Sequence, residues 1–297
     1  YFIMQSVISK NMIRDYVALT KPKIISLLLI TALGGLFLAS KGLPQWQIVW
    51  VVLFAGSLAA GGANAINHFL DRDIDNIMQR TKERPVAGKR VLPKNALIFG
   101  ILLNIVAFVL LILFATWLSA ILTLAATLVY VFVYTIGLKR STPQNIVIGG
   151  AAGAFPPLIA WAAVTGDIGL GAVYLFAIVF FWTPPHFWAL ALLLKDDYAD
   201  AGIPMLPVVS GIDTTKKQIF LYTWILLALM IITVLTTSRL GIIYGLGVIF
   251  SFLIMAGLLL SVRAGAGGET WGMQMQNKWF LLFLTVLMTL VAVSYTH

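Results

Sequence analysis

Long apolar runs broken by short polar interruptions fill the chain from about residue 23 onward. Nine of these runs have the roughly 18–25 residues that carry an α-helix across a hydrocarbon core. They predict transmembrane helices near residues 23–41, 46–70, 95–114, 118–138, 146–165, 169–194, 218–237, 240–261 and 279–295. The connections inside 95–138 and 218–261 are very short, so each of these pairs is an antiparallel hairpin. Ahead of the first run, "YFIMQSVISKNMIRDYVALTKPK" is mildly amphipathic and carries no cleavable signal-peptide pattern. The expected fold is all-α: a polytopic membrane bundle forming one integral-membrane domain over residues 1–297.

Composition agrees, with 60% hydrophobic residues and a mean hydropathy of +0.96. The absence of cysteine excludes disulfides, thiolate metal sites and thiol nucleophiles. A net charge of +9 would suggest nucleic acid in a soluble protein, but here its distribution explains it. With the N-terminus in the cytoplasm, 18 of the 20 Lys and Arg side chains fall inside, and only Lys41 and Arg239 fall outside. That asymmetry sets an N-in/C-out orientation and leaves no basic excess for a nucleic-acid partner to explain. Acidic residues are not governed by that rule, yet ten of the 11 also fall inside, Asp167 being the exception. Both signs on one face mark a polar site at the cytoplasmic mouth of the bundle.

The densest stretch is residues 71–94, which holds 11 of the 31 charged side chains in 24 positions. Within "NAINHFLDRDID", Asn67, Asp71 and Asp75 are spaced four apart at the end of the second span. Four residues turn a helix by about 400°, so the three lie within a net drift of roughly 80°. Asn64 and His68 share that arc, facing the same prospective substrate, while Asp73 points away. Two carboxylates one turn apart repel each other unless a cation neutralises them. Mg²⁺ does so with oxygen ligands, commonly one or two carboxylates plus substrate phosphates. Arg72, Arg80, Lys82 and Arg84, with Lys89 and Arg90 beyond them, would then grip the remaining phosphate oxygens. The plainer alternative is a solvated helix end laced with ion pairs.

A second acidic cluster closes the sixth span in "FFWTPPHFWALALLLKDDYADAGIPMLP". Asp196 and Asp200 are one turn apart with Asp197 beside them, before Gly202 and Pro204 end the helix. Two acidic helix ends on one membrane face suggest carboxylates opposed across a cavity, clamping a metal-bound diphosphate. The alternative is helix-end charge facing water, with Lys195 compensating the helix dipole. His186 follows Pro184 and Pro185 within the span, where an ionisable residue is either functional or hydrogen-bonded between helices.

The N-x-x-x-D-x-x-x-D pattern "NHFLDRDID" resembles the first aspartate-rich motif of the UbiA superfamily of intramembrane prenyltransferases. The resemblance extends through "DYVALTKPKIISL", "LDRDIDNIMQRTKERPVAGKR", "YTIGLKRSTPQNIVIGGAAGAFPPLIAW", "WTPPHFWALAL" and "DDYADAGIPMLPVV", and it is strongest to the branch that acts on heme. One departure stands out. Anchored on Gly202, the second motif of many relatives would place carboxylates at Leu194 and Tyr198, whereas this chain has Asp196 and Asp197 in the interval. Whether Asp200 is a ligand is left open by that shift.

The resemblance implies a nine-helix bundle around a central cavity, with farnesyl diphosphate and heme b as substrates and Mg²⁺ as cofactor. It implies metal binding by Asn67, Asp71, Asp75, Asp196 and Asp197, which are also the catalytic set. It implies diphosphate or propionate contacts from Lys139 and Arg140, and substrate contacts from Asn145 and His186. The reaction implied is attack of a farnesyl cation on a heme vinyl group, followed by addition of water. A prenyltransferase with another acceptor, such as a quinone precursor or chlorophyllide, shares the motifs. A secondary transporter with intramembrane acids is a third reading, disfavoured because the acids sit at one face rather than mid-span. Gly149, Gly150 and Gly153 allow close helix packing or leave room for a flat substrate. Phe180, Phe181, Trp182, Phe187 and Trp188 are candidates for the cavity lining or the interfacial belt. A lipid bilayer is the obligatory surrounding, and contact with heme A synthase or oxidase assembly machinery is an expected partnership. The lack of an Arg-rich presequence favours a bacterial plasma membrane over the mitochondrial inner membrane.

Overall fold

The computed structural model describes residues 2–236 together with 249 and 253. Seven helices are long and apolar enough to span a membrane, and no strand occurs among the described residues. They match the first seven predicted spans closely. Helix α1 (Phe2–Thr20) precedes α2 (Pro22–Ser40) and α3 (Trp46–Leu70), and α3 continues into the short α4 (Arg72–Ile77). Next come α5 (Pro93–Phe114) and α6 (Trp117–Leu128), the latter running on as a π-segment (Val129–Leu138). Helices α7 (Asn145–Gly149) and α8 (Ala151–Thr165) together make the fifth span, and α9 (Leu170–Leu193) the sixth. The short α10 (Lys195–Asp200) and α11 (Leu206–Val209) lead into α12 (Gly211–Thr236). The spans expected at 240–261 and 279–295 lie outside the described residues, apart from 249 and 253.

The boundaries have local causes. Pro22 and Pro93 each stand in the first turn of their helix, where a missing N–H costs nothing. Thr116 and Ser119 form a reciprocal capping box that starts α6. Gly166, at φ 74°, ends α8 in the left-handed conformation open to glycine. Helix α12 begins seven residues before the predicted seventh span, because its first turns carry Asp213, Lys216 and Lys217 and project beyond the apolar run.

Helices α2, α3, α5, α6 and α8 pack as a ring of neighbours, with α9 against α8 and α2, and α12 outside α9. Close crossings depend on small residues. A Cβ on Gly62 would lie 2.5 Å from the Gly100 carbonyl oxygen, and one on Gly100 would lie 2.6 Å from that of Gly62. Gly35 meets the Pro157 backbone in the same way, joining α2 to α8. Large apolar side chains such as Ile98, Ile101, Leu102 and Ile105 of α5 stand exposed on the outer surface. In a multi-pass membrane protein that surface faces lipid, where apolar exposure is no liability. The inner faces of α2, α3, α6, α8 and α9 close round a cavity.

The α3–α5 crossing brings two backbones into close contact at Gly62 and Gly100. Gly100→Val is expected to force these helices apart and to lower stability by about 1–3 kcal/mol, as overpacking generally does. The check is thermal unfolding in detergent, where an unchanged midpoint would show that the crossing tolerates a side chain.

Candidate active site

The cavity has a volume of about 570 Å³, within the range of roughly 300–1,000 Å³ usual for small-molecule sites. Its wall follows α3 from Val52 to Asn67 and the α7–α8 span from Ile146 to Ile159. Fifteen residues of helix at 1.5 Å each make a shaft roughly 20 Å deep. The deep part is lined by Leu28, Val52, Ala59, Pro156 and Ile159, whereas the opposite end, the mouth, gathers Lys21, Asn67, Asp75, Arg80, Arg84 and Lys139.

At that end, each of the two buried acids has a basic partner, and Arg140 Nη2 also stands 3.9 Å from Asp71 Oδ1. Asp71 is wholly buried, and its Oδ2 accepts hydrogen bonds from Lys139 Nζ and, at 2.7 Å, from Asn67 Nδ2. Asp75 is 2% exposed, and Arg84 Nη1 donates to both of its oxygens at 2.8 and 2.9 Å. Lys21 Nζ donates to Asn67 Oδ1 at 2.9 Å. Burial brings the Lys21 ammonium down to about 7; Arg84 pushes it further the same way and Asp75 opposes. Lys21, Arg84 and Lys139 come from three elements: the α1–α2 corner, the segment after α4, and the end of the π-segment.

The π-segment is what delivers Lys139. Its wider turn is held by Thr135 Oγ1 donating to the Tyr130 carbonyl at 2.8 Å and by Lys139 N–H donating to the Tyr134 carbonyl at 2.8 Å, each five residues back. Such turns recur at functional sites in otherwise regular helices. Tyr130 and Tyr134 stack with ring centroids 5.7 Å apart and line the cavity together.

The expected residues divide sharply. Asn67, Asp75, Arg80, Arg84, Lys139, Asn64 and His186 line the cavity. His186 is stacked 4.6 Å from Trp182 and meets Phe187 edge-on. Asn64 also ties α1 in place, its Nδ2 donating to the Thr20 carbonyl at 3.0 Å. Asp71 sits just behind the wall. His68 is buried, and among the described residues neither of its ring nitrogens has a hydrogen-bond partner, but it does not line the cavity. Asn145 is likewise buried behind the wall, donating to the Lys139 carbonyl at 3.3 Å.

The expectation that Arg72, Lys82 and Arg140 reach the cavity is corrected by their other attachments. Arg72 lies over the Phe69 ring and donates to the Phe69 carbonyl at 2.6 Å. Lys82 donates to Gln79 on the surface. Arg140 pairs with Asp73 at 2.7 Å and holds that carboxyl down to about 2. On α10, Asp196 and Asp200 are exposed, and Asp197 Oδ1 accepts the Gln79 backbone N–H at 2.7 Å. Reasoning from sequence missed Lys21, Tyr130, Tyr134 and Tyr198, all in the wall. For Lys21 the usable signal was a lysine directly before a helix-starting proline.

The glycines of the fifth span serve both readings. Cβ atoms on Gly149 and Gly150 would meet the Tyr134 ring at 2.2 Å and the Thr183 side chain at 2.9 Å, so these two positions are for packing. A Cβ on Gly153 would meet nothing within 4 Å, and Gly153 opens into the shaft.

Among the described residues, no three His, Asp or Glu side chains converge as a closed metal cage. Mg²⁺ does not need one, since it commonly shares its shell between one or two carboxylates and substrate phosphates. Asp71 Oδ1, buried and lacking a hydrogen-bond partner among the described residues, and Asp75 in the wall fit such a shared site.

The model for the UbiA prenyltransferase family matches residues 28–277. The chain belongs to the UbiA prenyltransferase family. Among curated UbiA relatives, a protein named protoheme IX farnesyltransferase from Parafrankia sp. (strain EAN1pec) is 44% identical over 95% of this chain and 90% of its own length. One of the same name from Frankia alni is 55% identical over 73% of this chain and 75% of its own. In fold, the chain resembles digeranylgeranylglyceryl phosphate synthase, with a TM-score of 0.76 at 17% identity over 95% of this chain and 98% of that one. It also resembles a UbiA homolog from Archaeoglobus fulgidus bound to DMAPP and Mg²⁺, with a TM-score of 0.67 at 16% identity over 94% and 99% of the two chains.

Two predictions follow from this geometry. Lys139→Met leaves Asp71 buried without its cation and should cost on the order of 3 kcal/mol. Adding Asp71→Asn to that variant should recover part of the loss, and thermal unfolding of the single and double variants measures it. Gly153→Leu should fill the shaft and reduce prenyl transfer severalfold with a near-normal unfolding midpoint, whereas Gly149→Leu should lower the midpoint itself.

Proposed function

We propose that this protein is a protoheme IX farnesyltransferase, which transfers a farnesyl group from farnesyl diphosphate to a vinyl group of heme b. The acceptor and the prenyl donor follow from the names of its relatives. The observation that carries the reading in the structure is a cation-rich mouth holding two buried carboxylates at the head of a deep apolar shaft. A diphosphate suits the mouth and an isoprenoid tail suits the shaft.

Asn67, Asp71 and Asp75 would hold Mg²⁺ together with the substrate's phosphate oxygens. When bound, Mg²⁺ neutralises charge on the leaving diphosphate as the allylic C–O bond breaks. Lys21, Arg80, Arg84 and Lys139 hold the same diphosphate from the protein side, where their charges count most because the negative charge grows as the bond opens. The apolar shaft keeps water from the allylic cation until the vinyl π electrons form the new C–C bond. Water then adds to the electron-poor carbon left on the former vinyl group and loses a proton. Aromatic side chains at the upper wall, Tyr130, Tyr134 and Trp182, offer π faces to a passing cation. His186, stacked on Trp182, is assigned to the acceptor in this reading.

The charge asymmetry supports an N-in/C-out chain of nine transmembrane helices in a single domain over residues 1–297, with the mouth in the cytoplasm. A bacterial plasma membrane is its location in this reading, and heme A synthase or the oxidase assembly machinery would receive the product.

Purified protein given heme b, farnesyl diphosphate and Mg²⁺ should yield a heme carrying a hydroxylated farnesyl adduct, detected by mass. Asp75→Ala should lower turnover at least about 100-fold, the scale of losing a group that stabilises transition-state charge, with the protein still folded in detergent. Normal product from Asp75→Ala under limiting Mg²⁺ would remove Asp75 from the site. Prenylation of a quinone precursor or chlorophyllide in place of heme would reassign the acceptor.

A further inference from the structure

Residues 78–91 form a strap across the mouth, folded by its own turns and fastened at two ends. Hydrogen bonds such as Arg84 N–H to the Thr81 carbonyl and Gly88 N–H to the Arg84 carbonyl shape it internally. At one end Arg90 Nε donates to Asp15 Oδ1 of α1 at 2.8 Å, and Val86 and Val91 pack with Leu19, Ala65 and Ala96. At the other end α10 meets the strap. Asp197 Oδ1 accepts the backbone N–H of Gln79 at 2.7 Å, and the next residue on each side, Tyr198 and Arg80, enters the cavity wall. Arg80 and Tyr198 both line the cavity, whereas Asp196 and Asp200 face solvent.

Among the described residues, the wall on this side of the mouth holds Tyr198 of α10 and Arg80 of the strap but no α10 carboxylate, and Asp197 Oδ2 is buried without a hydrogen-bond partner. A bond to a main-chain N–H fixes the backbone itself, so the Asp197 contact sets where the next residue, Arg80, enters the cavity. Loss of this contact would free the start of the strap without touching Arg84, which is held separately by Asp75.

We propose that Asp197 is a positioning residue that, through the Gln79 main chain, aims Arg80 at the diphosphate of the prenyl substrate. The proposal rests on the reading of the site as a prenyl diphosphate site. It gives Asp197 a task different from metal ligation, and the two tasks respond differently to substitution. Asp197→Asn keeps a carbonyl oxygen for the Gln79 N–H but removes the charge a metal needs, whereas Asp197→Ala removes both.

The experiment uses full-length protein in detergent, with KM and kcat for farnesyl diphosphate, calorimetric binding of inorganic pyrophosphate, and a count of Mn²⁺ bound beside pyrophosphate. Asp197→Ala should raise KM and the pyrophosphate Kd about tenfold with a smaller change in kcat, the pattern of lost ligand binding. Asp197→Asn should restore both to within about threefold, and neither variant should change the Mn²⁺ count. Arg80→Met should match Asp197→Ala, and combining the two should add little, as residues acting through one contact do. Equal damage from Asn and Ala, or one Mn²⁺ fewer in either, would make Asp197 a metal ligand and overturn the proposal. Additive losses from Arg80→Met and Asp197→Ala would overturn it as well. A protein that binds pyrophosphate normally but never turns over farnesyl diphosphate would fail the functional reading alone, and the pyrophosphate measurements would still decide the role of Asp197.

Discussion

A carboxylate with no exposure at the edge of a bilayer must be matched by positive charge, since an uncompensated buried ion costs several kcal/mol. Asp71 and Asp75 impose that requirement on the charged end of the bundle. Their partners, Lys139 and Arg84, come from elements distant in sequence, and Lys21 joins them through Asn67. Meeting this demand draws together α3, the π-segment, the strap and the α1–α2 corner. The mouth is thus organised by electrostatics, while the shaft below is organised by packing.

The shaft depends on small residues used in two ways. Where helices must touch, as at Gly62, Gly100, Gly149 and Gly150, the missing side chain lets backbones or rings approach. Where a ligand must fit, as at Gly153, it leaves volume unfilled. An apolar shaft beneath a charged mouth separates the two halves of an amphiphilic substrate. In the proposed function, the reactive carbon would sit at their boundary, within reach of the cations and out of reach of bulk water.

The spans were legible because apolar runs of membrane length admit few alternatives, and the seven within the described residues end within a few positions of expectation, α12 excepted. The four-residue spacing put Asn67, Asp71 and Asp75 on one helix face, and the folded chain buries all three near the mouth. Which arginines face the ligand was not legible. Arg72 and Arg140 resemble Arg84 in sequence, and only the folded chain reveals that Phe69 and Asp73 hold the first two on the surface. Lys21 was hidden because its role depends on a left-handed backbone, φ 55°, that turns it inward. Tyr198 was hidden because an aspartate-rich neighbourhood draws attention to the acids around it.

The π-segment bears on how such a mouth can be built. Cavity-facing positions along the fourth span are Thr123, Ala126, Thr127, Tyr130, Tyr134 and Lys139, so successive turns are three or four residues apart until the last step, which is five. An uninterrupted α-helix would carry the lysine's position out of phase with the tyrosines. The widened turn absorbs the surplus residue, letting one helix obey the geometry of the oily interior along most of its length and that of the ionic rim at its tip. Helix phase, rather than any single side chain, is the inheritance such a rim must preserve.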